Sequence, residues 1–91
     1  MKVRIEITVH GRVQGVAFRW YTRKQAVSLG LTGWVKNQPD GSVRIVAEGP
    51  RPDLETFCDW AARGPDHSRV DRQEIAWSEA SGKFDEFLIT G

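Results

Sequence analysis

A single cysteine, Cys58, stands among 91 residues, so no disulfide can close within the chain. No Cys/His spacing of the kind that holds zinc occurs either. Charge of one sign is equally scarce: 13 Lys and Arg face 12 Asp and Glu, with no block of like charge. That argues against a nucleic-acid binder working through a basic face. No apolar run approaches the ~20 residues of a membrane span. The opening Met1-Lys2-Val3-Arg4-Ile5-Glu6 sets charges between its apolar residues, which does not read as a secretory signal. Repeats, linkers and low-complexity segments are also lacking. The expectation is one domain spanning residues 1–91, cytoplasmic and without a membrane partner. One unpaired thiol fits a reducing compartment without requiring one.

What is present suffices for one core. A chain this short buries roughly 60–65% of its unfolded surface, and 40% hydrophobic residues with four Trp can fill that interior. Lys2 to His10 alternates strictly, with Val3, Ile5, Ile7 and Val9 on one face, which predicts a half-buried strand. Gly11 to Phe18 then reads as a long loop. Arg19 to Leu29 lacks Gly and Pro, repeats its apolar positions at helical spacing and stops at Gly30. Thr32 to Gln38 reads as a strand, Gln38-Pro39-Asp40-Gly41 as a tight turn, and Val43, Ile45 and Ala47 as the returning strand of a hairpin. After Pro50-Arg51-Pro52-Asp53, the stripe Leu54, Phe57, Cys58, Ala61 predicts a second helix, closed by Gly64-Pro65. Val70 to Glu79 is a fourth strand with Ile75 and Trp77 on one face; Phe84 to Thr90 is a short strand or extended tail. The order β-α-β-β-α-β predicts a ferredoxin-like α+β sandwich: an antiparallel sheet with two helices on one face, plus a short C-terminal strand.

The chemistry concentrates in Gly11-Arg12-Val13-Gln14-Gly15-Val16-Ala17-Phe18-Arg19. Gly11 and Gly15 can take positive φ at little cost. The amides from Gln14 to Phe18 can then face one point, and Arg19 at the first turn of a helix adds a guanidinium. Both suit an oxyanion. The same residues also fit an ordinary strand-to-helix connection with a solvated arginine. No Gly-Lys-[Ser/Thr] follows, so nothing points to a nucleotide or Mg²⁺. A second group, Gly33-Trp34-Val35-Lys36-Asn37, ends just before the tight turn. The Asn37 amide both donates and accepts, so it can hold a water and an oxyanion together; it can also simply cap the turn.

Taken together, these two stretches make the sequence resemble the acylphosphatase family over essentially its whole length. Val9-x-Gly11-x-Val13-Gln14-Gly15-Val16-x-Phe18-Arg19 matches the family's first signature, and Gly33-Trp34-Val35-Lys36-Asn37 with Gly41, Val43 and Gly49 matches the second. The resemblance implies a small hydrolase that converts an acyl phosphate to a carboxylate and inorganic phosphate, the latter as product and inhibitor. It implies that Arg19 and Asn37 are catalytic, Arg19 binding phosphate and Asn37 positioning water. The backbone of Gln14, Gly15, Val16, Ala17, Phe18 and Arg19 would hold the phosphate oxygens. No metal or cofactor and a monomer are expected. The alternative is a non-catalytic phosphate-binding module, or an acyl- or carbamoyl-phosphate-processing domain of the kind resembling this family in hydrogenase-maturation carbamoyl transferases. An RNA-recognition domain shares the element order, but Ser42-Val43-Arg44-Ile45-Val46-Ala47-Glu48 lacks the aromatics it needs.

Other reactive residue types read as bystanders. His10, on the strand face opposite Val9, is solvated or capping; His67 sits in a polar loop. Cys58, in the second helix's stripe, is a small buried hydrophobe. Arg12, Arg23 and Lys24 are solvated charges, and Trp34 and Trp77 are packing residues. Trp20, beside Arg19, is open between packing and forming a rim. Ser28 and Ser42 have no partner base.

Overall fold

A computed structural model describes residues 1–91. The alternating N-terminal segment is strand β1, Lys2–Arg12, and Ile5, Ile7 and Val9 are fully buried. It runs two residues beyond the expected end. The pairing register slips between His10 and Gly11, and this bulge lets Gly11 and Arg12 stay paired to the neighbouring strand. Gly11 sits there at φ 133°, where a Cβ would fall 2.1 Å from the Arg69 carbonyl oxygen.

Helix α1 is Phe18–Ser28, followed by β2, Thr32–Asn37, and β3, Val43–Pro50. The tight turn closes as expected, with the Gly41 N–H donating to the Gln38 carbonyl at 3.1 Å. Helix α2, Arg51–Arg63, opens on Pro50 with Asp53 in its first turn, where acid favours the helix dipole. It buries Leu54, Phe57 and Ala61 completely. Strand β4 is Arg69–Glu79 and β5 is Phe87–Ile89.

The strands form one sheet in the order β4-β1-β3-β2-β5. All pairs are antiparallel except β2 with β5, which run parallel. The short last strand therefore joins the sheet and makes it mixed. Helix α1 packs on β2 and β5, and α2 on β1, β3 and β4, giving the ferredoxin-like sandwich. Phe87 anchors the last strand: it is 1% exposed and meets the Phe57 ring edge-on at 6.1 Å. Burying a side chain of that size contributes roughly 1.5–3 kcal/mol. Ile75 and Trp77 share the helix-side face with Ile7 and Ile5, their partners on β1. Because β4 is an edge strand, Ile75 remains exposed, and the Arg51 guanidinium lies 4.1 Å from the centre of the Trp77 ring.

The opposite face of the sheet is polar. Glu6 pairs with both Arg4 and Arg44, and Arg4 reaches Glu48 at 3.4 Å. His10 faces the same way and pairs with Glu74 at 2.5 Å. The chain leaving β4 crosses this face to reach β5. The nearly buried Glu48 carboxylate holds it there, accepting from Ser81 N–H at 2.9 Å, Ser81 hydroxyl at 2.8 Å and Gly82 N–H at 3.0 Å. Burial alone would raise the Glu48 pKa, but these donors and Arg4 outweigh it and hold the carboxyl below its ordinary value.

Candidate active site

Since β1 and β2 both pair antiparallel with β3, they run the same way, and β5 runs parallel to β2. The C-terminal ends of β1, β2 and β5 therefore lie at one edge of the sheet. Residues that follow them in sequence at 13–19, 37 and 89–91 meet there. A pocket of about 180 Å³ opens at this edge, lined by Gly15, Ala17, Arg19, Trp20, Asn37 and Ile89 over a floor of Val13 and Phe18.

The loop is short because β1 continues to Arg12. Gly15 takes φ 76° and Ala17 φ 59°. A non-glycine residue in the left-handed region is uncommon and costs on the order of 1 kcal/mol. Ala17 is also the N-cap of α1, and no side chain caps that helix. Phe18 fixes the loop's exit: it is 1% exposed and packs its ring 5.8 Å from Trp60 on α2. The backbone N–H groups from Gln14 through Trp20 find no acceptor within the protein. Free amides at a helix N-terminus, with the dipole behind them, are an anion-binding arrangement.

The Gln14 side chain has a role that the sequence reading did not assign. Its Nε2 donates to the Gln38 carbonyl at 2.8 Å and to the Ser42 carbonyl at 2.9 Å. This ties the loop to the turn following Asn37. The turn is stiffened in its own right. Asp40 accepts from the Ser42 N–H at 2.9 Å and from its hydroxyl, and that hydroxyl accepts from Gln38 at 2.9 Å. The Ser42 hydroxyl and then its N–H hold the Asp40 carboxyl below its ordinary pKa.

Asn37 ends β2 in this frame. Its Oδ1 is shielded from solvent and has no hydrogen-bond partner, the one such side-chain atom in the chain. A buried acceptor left unpaired costs roughly 1–3 kcal/mol, so the position calls for a donor. Arg19 is half-exposed, and its Nη1 donates to the Gly91 carbonyl at 2.7 Å. Gly91 is brought there because the Thr90 N–H extends the β2–β5 pairing to the Val35 carbonyl at 2.8 Å.

No carboxylate or histidine lines the pocket. Its donors are amides and a guanidinium, a set suited to an anion and not to a cation. The structure thus brings Arg19, Asn37, Gly15, Ala17 and Phe18 to one pocket, while Gln14 does not line it and Val16 lines a separate one with Tyr21, Trp60 and His67. It leaves His10 on the polar sheet face and His67 exposed in the loop after α2. Cys58 is half-buried, and burial followed by the nearby Asp59 charge pushes its thiol pKa up, so it stays neutral. Ile89 and the Gly91 carbonyl are additions to the site. Neither carries a local sequence signal, since only the β2–β5 pairing delivers them.

Fold and pocket define the class: a ferredoxin-like α+β protein with a pocket lined by backbone amides, a guanidinium and an amide side chain where β1, β2 and β5 end. Comparison with known proteins agrees. The acylphosphatase family model matches residues 5–89. The chain is similar to an acylphosphatase of Thermococcus kodakarensis, 43% identical over 90 residues that cover 99% of this chain and 98% of the relative. Its structure is similar to the crystal structure of acylphosphatase from Bacillus subtilis, with TM-score 0.94 and 37% identity over 98% of this chain and 99% of that one. It is also similar to part of full-length HypF, solved in a phosphate- and nucleotide-bound form. That likeness has TM-score 0.87 at 26% identity, covering 100% of this chain and 12% of HypF. The chain belongs to the acylphosphatase family and is a hydrolase.

Proposed function

We propose that the chain hydrolyses the carboxyl–phosphate anhydride of acyl phosphates by direct attack of water on phosphorus. Arg19 and the amides of Gln14, Gly15, Val16, Ala17, Phe18 and Arg19 hold the phosphate oxygens, and Asn37 holds the water. The observation that carries this reading is the unpaired, buried Oδ1 of Asn37 beside a loop of free amides. One side of the site calls for a donor such as water and the other for an anion.

The chemistry fits what the site offers. The phosphoryl transition state is loose, with charge spread over the equatorial oxygens, so positioning and positive potential carry the rate. Water oxygen bonds to phosphorus, the bond to the acyl oxygen breaks, and the electron pair leaves with the carboxylate. The proton of the attacking water passes to a phosphate oxygen, so a dianionic substrate yields a carboxylate and a monoanionic phosphate. Carboxylate is a good leaving group and needs no general acid. Pre-aimed amides stabilise charge without reorganising. Inorganic phosphate, the product, inhibits by filling the same cradle. The protein works as a cytoplasmic monomer without cofactor, a reading consistent with its single thiol and even charge.

The HypF likeness supports a second reading, in which the domain binds or processes an acyl or carbamoyl phosphate without turning it over. One experiment separates the two. With excess chelator, the wild-type chain hydrolyses benzoyl phosphate, and Arg19→Gln loses both turnover and inhibition by phosphate. Loss of wild-type activity on metal removal overturns the metal-free mechanism. Near-normal phosphate inhibition in Arg19→Gln overturns the role of Arg19.

A further inference from the structure

The phosphate end of an acyl phosphate accounts for the amides, Arg19 and Asn37. It does not account for the hydrocarbon that lines the same pocket. Val13 and Phe18 are each 1% exposed and belong to the core, and Ala17 offers a single methyl. Trp20 and Ile89 are different: they are 54% and 41% exposed, both large and both at the pocket. An exposed indole next to a guanidinium gains little from packing where it stands.

We propose that Trp20 and Ile89 seat the hydrocarbon of the acyl group and give the chain a preference for aryl acyl phosphates over acetyl phosphate. The inference rests on the hydrolase reading above and adds the specificity of the same site. Trp20 follows Arg19 directly on the first turn of α1, so a ligand phosphate near Arg19 carries its acyl end past the indole. Ile89 pairs with Val35 on β2, two residues from Asn37, and shares the helix-side face of the sheet with it. The two elements are fixed to each other, since Arg23 Nε donates to the Phe87 carbonyl at 3.0 Å. The seat thus stands on a helix and a strand, which hold geometry better than loops.

The indole is itself held. Tyr21 meets it edge-on at 4.9 Å, and the Lys24 ammonium lies 5.3 Å from its centre. Its remaining surface stays open. A phenyl ring can stack on that surface and on the branched Ile89 side chain, while an acetyl methyl covers little of either. Fully enclosed pockets discriminate by 10–200-fold per methylene. A half-open rim delivers a fraction of that.

The test uses the full chain, with kcat/KM for benzoyl phosphate and acetyl phosphate. Calorimetric binding of benzylphosphonate and methylphosphonate gives a readout free of catalysis. Trp20→Ala lowers the aryl-to-methyl ratio about fivefold in both assays, Ile89→Ser lowers it in the same direction, and Trp20→Phe restores it. Unchanged ratios in both Trp20→Ala and Ile89→Ser overturn the seat while the hydrolase reading stands. If the wild type turns over neither acyl phosphate but prefers benzylphosphonate, and Trp20→Ala abolishes that preference, the hydrolase reading fails and the seat stands.

Discussion

Replacing Asn37 with alanine separates function from stability more sharply than any other change in this chain. Its Oδ1 is buried without a partner. Water entering the pocket that Asn37 lines can meet this acceptor in solution, so alanine leaves stability within about 1 kcal/mol of wild type, or ~4–8 °C in Tm for a domain of this size. Activity falls much further. Loss of one preorganised group at a reacting centre costs about 10²–10³ in kcat, and since the water is held mainly in the transition state, KM stays within about twofold. Steady-state rates with benzoyl phosphate and a thermal melt on the same preparation read both effects. A raised KM with unchanged kcat would make Asn37 a substrate-binding residue. A Tm lower by much more than ~8 °C would show that the Asn37 amide has a structural role, and a loss of rate in that variant could no longer be assigned to water positioning.

Glu48 and Gln14 give two further outcomes. The Glu48 carboxyl lies below its ordinary pKa in the folded chain, so its contribution is complete above the unfolded value of about 4.3 and is lost as pH falls through the folded value. Glu48→Gln, which keeps one acceptor oxygen, costs about 2 kcal/mol at pH 7 and flattens the loss of stability below about pH 4.5. Denaturant titrations at several pH values check this, and an unaltered acid limb would show that the crossover is held by something else. Gln14→Ala leaves the Gln38 and Ser42 carbonyls without their side-chain donor and frees the loop from the turn beyond Asn37. A shift approaching 1 Å at such a site costs up to about 10² in rate. We therefore expect kcat/KM about tenfold lower and weaker phosphate inhibition; kinetics equal to wild type would mean that the loop holds its shape unaided.

The fold was legible wherever a period could express it. β1 and the α2 stripe follow from alternation and from 3.6-residue spacing, and the hairpin from Pro39 and Gly41. The extent of β1 was not, because a bulge at His10/Gly11 breaks the period while pairing continues to Arg12. Phe87-Leu88-Ile89 is too short to show a period, and its strand character comes from the open edge of β2 and the burial of Phe87. Trp34 was expected to pack. It does so from the helix-free face of the sheet, half-buried opposite Val46, which is 1% exposed, with the Lys36 ammonium 5.7 Å from its ring. In the site, the glycines, Arg19 and Asn37 stood out as residue types at fixed spacing. The Gln14 side-chain bonds span 24 and 28 residues, and no local pattern carries that information.

The energetics single out the same place without reference to any motif. A non-glycine residue in the left-handed region, a helix lacking a side-chain cap, a run of amides without a protein acceptor and a buried unpaired acceptor each depart from ordinary local structure. Conflicts of this kind scattered over a fold would signal a poor sequence, since natural chains are locally consistent. Here they converge on one pocket, while the elements behind it are consistent at every level. Ile5, Ile7 and Val9 fill the core, Phe18 and Gln14 fasten the loop from both sides, and Phe87 fastens β5. A 91-residue domain has little stability to spare, and water can solvate the open amides, so what sets these four features apart is that they share one pocket. The amides and the helix terminus suit an anion and the Asn37 acceptor suits a small donor, the two occupants that the proposed hydrolysis requires.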